Sequence, residues 1–314
     1  MDWFGAEIAA PMVAARAVHF AASAIAAGVL IFRATVLAPA PSPAPQAPSI
    51  GSQLRCVIWL ALAVSVASGL AWFVLQAGAI SGLALSEAIA PDMLRTVLDE
   101  TQFGHVMLAR LLCVIVLAAC LGFDGIAAMQ RLALAAALGF VGAIAWTGHA
   151  GATAGSEGVV HLAADVLHLW AAAAWTGGLL ALVLLLVAFG RDPEAARFRI
   201  VVVRRFSALG LASVGTLLVS GTIHSWILVG SLHMLFVTAY GRLLMAKLAL
   251  FALMLALAAI NRLWLTPRLA SPASGRAATM LTNMAAIELL LAIAVFAIVG
   301  ALGTLHPAAH FLNA

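Results

Sequence analysis

Residues 160–189 read VHLAADVLHLWAAAAWTGGLLALVLLLVAF, thirty positions in which Asp165 is the single charged side chain when histidine is neutral. Coiled as an α-helix at 1.5 Å per residue, the stretch is about 45 Å long, more than the roughly 30 Å hydrocarbon core of a bilayer. Lipid offers backbone amides no partner, so an apolar segment of this length satisfies them internally as a membrane-crossing helix.

Seven further runs share its character, near 13–37, 54–78, 104–122, 131–147, 205–228, 243–265 and 282–304. Of 314 residues, 65% are apolar and 9% charged, and mean hydropathy is +1.12. Soluble domains are about 45–50% apolar and about 25% charged. Disorder, a nucleic-acid-binding surface and a disulfide-stapled secreted fold are therefore excluded. Cys56, Cys113 and Cys120 sit in apolar runs without CxxC spacing. The predicted fold class is all-α, a polytopic membrane protein of eight transmembrane helices. Residues 1–7 carry Asp2 and Glu7 and no basic side chain, so the first run is read as a retained helix rather than a cleaved signal peptide.

Orientation follows from arginine. The connections 33–55, 123–131, 190–205 and 262–281 hold eleven Lys or Arg, whereas the alternate connections hold Arg95 and Arg242. The positive-inside rule puts the richer set in the cytoplasm and both termini in the periplasm. The cytoplasmic linker 38–49 is Pro-rich and reads as an extended polyproline spacer. The outer connection 79–103 is acidic, with Glu87, Asp92, Asp99 and Glu100, and is expected to include a short surface helix.

The two halves of the chain echo one another. His19 precedes Gly28 by nine residues, as His168 precedes Gly177. Ser68-Gly69 matches Ser220-Gly221, with Trp72 opposite His224; the run Phe103 to Leu111 matches Tyr240 to Leu248, with Arg110 opposite Lys247. Thr147-Gly148-His149 echoes Thr304-Leu305-His306. An even number of spans per half makes the repeats parallel, and such folds bind at the repeat interface. The expected organisation is two parallel four-helix repeats, 1–150 and 151–314, around a central site.

All nine histidines fall on the periplasmic side of this topology, which was drawn without them. Singly, an intramembrane histidine is a helix–helix hydrogen-bonding partner. Gathered at one depth, imidazoles suit a transition metal or a haem. His161, Asp165 and His168 are spaced four and three apart, on one helix face, so the carboxylate is a third ligand or an acceptor that orients an imidazole. The candidate metal ligands are His19, His105, His149, His161, Asp165, His168, His224 and His306, with Met12, Met107, Met234 and Met245 as soft ligands for Cu(I). Arg16, Arg110, Arg242 and Lys247 lie just inside the outer boundary and would snorkel, pair with Asp165 or hold an anionic group. Glu288 is read as part of an exit path or proton step, or as paired with an arginine. Cys113 and Cys120 are small core residues or an inward relay for Cu(I). No nucleophile–base pair, phosphate-binding loop or zinc-protease signature is present, so a transporter rather than an enzyme is expected.

The second half resembles the copper resistance D (CopD) family. The resemblance rests on His168-Leu169-Trp170 through Trp175-Thr176-Gly177-Gly178-Leu179, Arg205-Phe206-Ser207, Tyr240-Gly241-Arg242 to Lys247-Leu248, Asn261-Arg262 and Pro267-Arg268-Leu269. It implies a bacterial inner-membrane protein that moves copper from periplasm to cytoplasm, with a separate periplasmic copper chaperone of the CopC type as partner; His168 is the residue it carries over most directly. Beside copper uptake stands a b-type haem reading, in which His19 with His149, and His168 with His306, ligate haem axially and Arg16 or Arg110 meets the propionates.

Overall fold

The computed structural model describes residues 2–3, 6–7, 9–38, 47–189, 195–270 and 274–312. Its body is eight long apolar helices: α1 (Ala10–Leu37), α2 (Ile50–Ser81), α3 (Gln102–Gly122), α4 (Ala127–Thr147), α5 (Gly155–Phe189), α6 (Ala196–Val229), α7 (Ala239–Arg268) and α8 (Gly275–Leu302). The only strands among the described residues are Asp2–Trp3 and Ala6–Glu7, a two-residue antiparallel pair before α1.

Every sequence-read span has its helix, and the helices overrun the apolar cores. α6 starts at Ala196 rather than 205, taking in Arg197, Arg199, Arg204 and Arg205. Arginine is a good helix former and carries its charge outward on a long stem, so the helix continues where hydropathy has ended. The Pro-rich linker is shorter than read, because the chain is already helical from Ala47. Its polyproline stretch, and Arg191, lie outside the described residues.

α1 and α5 form the axis of the bundle. Two-thirds of the central window of each is buried, against 11% for α7. α1 packs on α2, α4, α5 and α8, and α5 packs on α1, α4, α6 and α8. The two axial helices cross at Gly28 and Gly177: a Cβ on Gly28 would strike the Ala173 carbonyl, and one on Gly177 would strike Gly28 and the Ile25 carbonyl. Small residues at a crossing let the backbones touch, which is how dispersion packing is gained where lipid supplies no hydrophobic drive. The outer faces carry Leu211, Leu218, Val219, Trp226, Leu253, Leu263 and Trp264 exposed. In water that surface would aggregate; against acyl chains it is the natural one.

Two connections share a design. The expected surface helix of 79–103 is present as Pro91–Glu100, with the short Leu85–Ala88 before it, and Leu232–Val237 occupies the corresponding place ahead of α7. Thr101 caps α3 by accepting from the Gly104 amide at 2.9 Å; Thr238 caps α7 by accepting from the Gly241 amide at 3.0 Å. At the end of the bundle away from the termini, Arg33 donates to both carboxylate oxygens of Asp124, tying α1 to the α3–α4 turn.

Candidate metal-binding site

His161, Asp165 and His168 occupy successive turns of α5, and His224 comes to them from α6. The His224 ring lies 5.3 Å from that of His161 and 5.1 Å from that of His168, centroid to centroid. Its Nε2 is 3.7 Å from Asp165 Oδ1 and is buried without a hydrogen bond. The two α5 imidazoles are held alike. His168 Nδ1 donates to Ser220 Oγ at 2.8 Å, whose own proton goes to the Thr216 carbonyl. His161 Nδ1 donates to Thr153 Oγ1 at 2.9 Å, whose proton goes to the His149 carbonyl. These directions follow from the hydroxyls being already committed as donors. Both rings are thereby held in the tautomer that leaves Nε2 a lone pair, the arrangement that orients a metal-ligating histidine.

His19, on α1, lies in a closed set of contacts. His19 Nδ1 donates to the Ser65 carbonyl at 2.9 Å, with Ser68 Oγ 3.4 Å away. Its Nε2 accepts from Arg110 at 2.5 Å. Arg110 also donates to the Phe140 carbonyl and to Ser23 Oγ, with its guanidinium over the Phe140 ring. Where α6 presents His224, α2 presents Trp72, fully buried with its ring 5.5 Å from that of His19. Both nitrogens of His19 are engaged, so its expected role as a ligand is not what the arrangement offers: the guanidinium stands where a metal would.

His161, Asp165 and His224 line a cavity of about 160 Å³ that also takes in Arg16, His149 and Lys247. α1, α4, α5, α6, α7 and α8 all contribute to its wall. His149 opens the short helix His149–Ala152 within the turn read between α4 and α5, and its Nε2 is buried without a partner. Burial, reinforced by Arg16 and partly offset by a hydrogen bond to the Leu302 backbone, holds its imidazole below the ordinary histidine range. The ring is therefore neutral and able to ligate near neutral pH.

The other candidates go elsewhere. His105 is exposed and donates from Nε2 to the Asp99 carbonyl at 2.9 Å, closing the turn into α3. His306 is exposed and faces His310, ring centroids 6.2 Å apart. None of the four methionines lines the cavity: Met12 is buried with Phe20, Trp72 and Ile144, Met107 packs on that group, Met234 packs beside Val229 and Tyr240, and Met245 is half-buried on α7. Arg16 sits over the Phe20 and Trp72 rings. The haem pairs are not assembled, since His19 is enclosed by Phe20, Trp72 and Phe140 and His306 is outside the cavity. Among the described residues no three His, Cys, Asp or Glu groups already stand at coordinating distance. Glu288 pairs with an amide, Asn261, rather than with an arginine.

Ser220, Thr153 and Tyr240 escaped the sequence reading as site residues. The only signal for Ser220 was its place in the repeat, and Thr153 gave none.

In comparison with known proteins, residues 200–302 match the profile "Copper resistance protein D", and residues 7–159 match "Copper resistance protein D-like, N-terminal domain". "Copper resistance protein D" of Pseudomonas syringae pv. tomato is 32% identical over 266 residues, covering 81% of this chain and 83% of the relative. "Copper transport protein CutJ" of Bacillus subtilis is 34% identical over 197 residues, 60% of this chain and 35% of that longer protein. "Inner membrane protein YebZ" of Escherichia coli is 28% identical over 256 residues, 81% of this chain and 84% of the relative. No solved structure matches. Two profiles in order along the chain, and a relative aligned over four-fifths of both lengths, establish that this protein belongs to the copper resistance protein D family.

Proposed function

We propose that this protein takes up copper across the bacterial inner membrane, from periplasm to cytoplasm, and receives it at His161, His168 and His224 with Asp165 beside them. The observation that carries the reading is the shared hydroxyl lock, in which Ser220 and Thr153 leave two Nε2 lone pairs on imidazoles whose rings both lie beside that of His224, itself with a buried Nε2 that makes no hydrogen bond. Imidazole accepts both copper oxidation states. The rings are not yet at bonding distance, so copper draws the site together as it binds. His149, on the cavity wall, is the first imidazole met from the termini side.

The eight helices are two parallel four-helix repeats. Gly28 with Gly177, His19 with His168, Ser68 with Ser220, Thr101 with Thr238 and Arg110 with Lys247 take equivalent places in the two halves, and this supports the reading. Arginine counting puts the termini, and the cavity with them, in the periplasm. Copper arrives on a separate periplasmic chaperone of the CopC type, because free copper is scarce and the site lies below the surface.

The test is competition titration of the purified protein against a chromophoric Cu(I) chelator. Ala in place of His168 or His224 is expected to abolish the high-affinity equivalent. Ala at His19, His105, His233 or His306 is expected to leave it. Equal losses at His168 and His233 would refute the site, and stoichiometric iron with a Soret band would refute copper as its occupant.

A further inference from the structure

A second cavity, of about 270 Å³, lies in the end of the bundle away from the termini. It is walled by α5 to α8 alone and is mostly apolar, its polar side chains being Ser207, Asn261, Arg262, Thr266 and Glu288. The two cavities stack along the same helices. On α5 the first ends at Ala172 and the second begins at Trp175; on α7 they are separated by Lys247 and Leu255, on α8 by Phe296 and Glu288. At 1.5 Å per residue the separation is about 4.5 Å along α5 and about 12 Å along α7 and α8. Within that gap the Trp175 and Phe251 rings meet edge to face, centroids 5.9 Å apart, between buried Leu217 and Ala292. An apolar layer of this kind blocks a hydrated cation.

Glu288 lies directly below that layer. It is 2% exposed, and among the described residues no Lys or Arg nitrogen is within ion-pairing distance of it. Its Oε1 accepts from Asn261 Nδ2 at 2.5 Å, and Trp175 lines the same cavity wall. Asn261 opens a π-helical turn, Asn261–Leu265, whose extra width aims the amide inward, and its Oδ1 is buried without a partner. The other charged side chain on the cavity wall is committed elsewhere. Arg262 on α7 donates to the Ser207 carbonyl and Oγ on α6, Arg33 on α1 holds Asp124, and α5 offers no charged side chain between Asp165 and Phe189. A lone carboxylate with one amide N–H donor is a poor seat for soft Cu(I) and a good one for a proton.

We propose that Glu288 is a proton-binding site on the inner cavity whose protonation releases Trp175 and opens the layer between the two cavities. Ionised, the carboxylate accepts a charge-assisted hydrogen bond from Asn261 and attracts the positive N–H edge of the indole on the same cavity wall, which keeps Trp175 across the path. When water in the inner cavity delivers a proton, the resulting carboxylic acid is a weaker acceptor and the indole is free to swing. Copper passage is then tied to a proton bound from the inner side. This rests on the copper reading above only for the identity of the ion that passes.

The experiment has a copper-free arm and a copper arm. In the first, the emission attributable to Trp175, taken as wild type minus Trp175→Phe, is recorded at acid and alkaline pH. It is expected to shift with pH in the wild type and to be fixed in a Glu288→Gln background, with a carboxylic-acid infrared band lost in Glu288→Gln. A Trp175 signal that ignores pH, or shifts equally in Glu288→Gln, overturns the proposal whatever the protein transports. In the second, copper uptake is measured in vesicles sorted with the termini outward, at varied lumen pH. The wild type is expected to speed up at least threefold as the lumen is acidified, and Glu288→Gln to run fast at every lumen pH with unchanged copper affinity. Retained lumen-pH dependence in Glu288→Gln overturns the proposal. Failure of the wild type to bind copper overturns the copper reading and leaves the first arm to decide this one.

Discussion

Replacing Ser220 with Ala removes one oxygen from the protein and is expected to weaken copper binding by about 10–100-fold. Ser220 Oγ accepts the His168 Nδ1 proton at 2.8 Å while donating to the Thr216 carbonyl at 2.6 Å. Without it, Nδ1–H has no acceptor, and the ring relieves this by moving its proton to Nε2 or by rotating. Either change costs the oriented Nε2 lone pair on the ring beside His224. Loss of such an orienting partner lowers metal affinity about 10–100-fold, which is about 1.4–2.8 kcal/mol of binding free energy. The folding cost is smaller, about 0.5–1.5 kcal/mol for one hydrogen bond. Chelator competition in detergent reads the affinity, and thermal unfolding of the copper-free protein reads the stability. Ser68→Ala is the matched control: its hydroxyl is 3.4 Å from His19 Nδ1, a ring whose Nε2 is already taken by Arg110. It should share a stability loss of that size and leave affinity within twofold. Equal affinity losses in the two variants, or none in Ser220→Ala, would falsify the claim that only the second half holds an open imidazole site.

Gly28→Leu places a branched side chain against the Ala173 carbonyl, which cannot yield as a side chain would; overpacking of about 1–3 kcal/mol or more is expected as a lowered unfolding midpoint, while Gly210→Ala, where a Cβ meets nothing, should fall within about 0.5 kcal/mol of the wild type. Burial holds His149 below the ordinary histidine value of about 6.5, so the unfolded chain takes up its proton first as pH falls. Stability is therefore complete above about pH 6.5 and declines below it, and His149→Gln should flatten that acid limb in a pH series of unfolding midpoints.

The membrane fold was legible because a crossing helix is specified by length and composition, and both are local. Helix ends were less legible, as α6 shows: hydropathy falls at Arg204 and Arg205, yet the backbone stays helical to Ala196. Helical spacing put His161, Asp165 and His168 on one face, and the structure adds that His224 completes the group. What spacing could not supply was contact between distant segments. Arg110 lies 91 residues from His19, and nothing local says that its guanidinium ends on that imidazole rather than on a propionate. His105 was grouped with the site by depth, and His306 by depth and its repeat match to His149; depth does not distinguish a cavity wall from a turn that needs a hydrogen-bond donor. Thr153 contributes through a hydroxyl that any loop threonine possesses.

On the proposed repeat, the two halves differ at one exchange that explains why a single site is open. Arg110 offers a planar fork, and three acceptors take it at once: His19 Nε2, the Phe140 carbonyl and Ser23 Oγ. Stacked on Phe140, it has no low-cost way to leave. Lys247, in the equivalent place, is a point charge on a flexible stem at the wall of a cavity shared with Asp165 and His224. On the proposed copper reading, a flexible ammonium there can withdraw along its stem when a metal cation arrives, whereas a guanidinium would persist as a substitute for the metal. Trp72 against His224 is the same difference in a second residue, since the indole fills the space that an imidazole would leave for a ligand. The first half thus supplies α1 as a rigid partner for α5, and the polar parts it keeps serve to seal it.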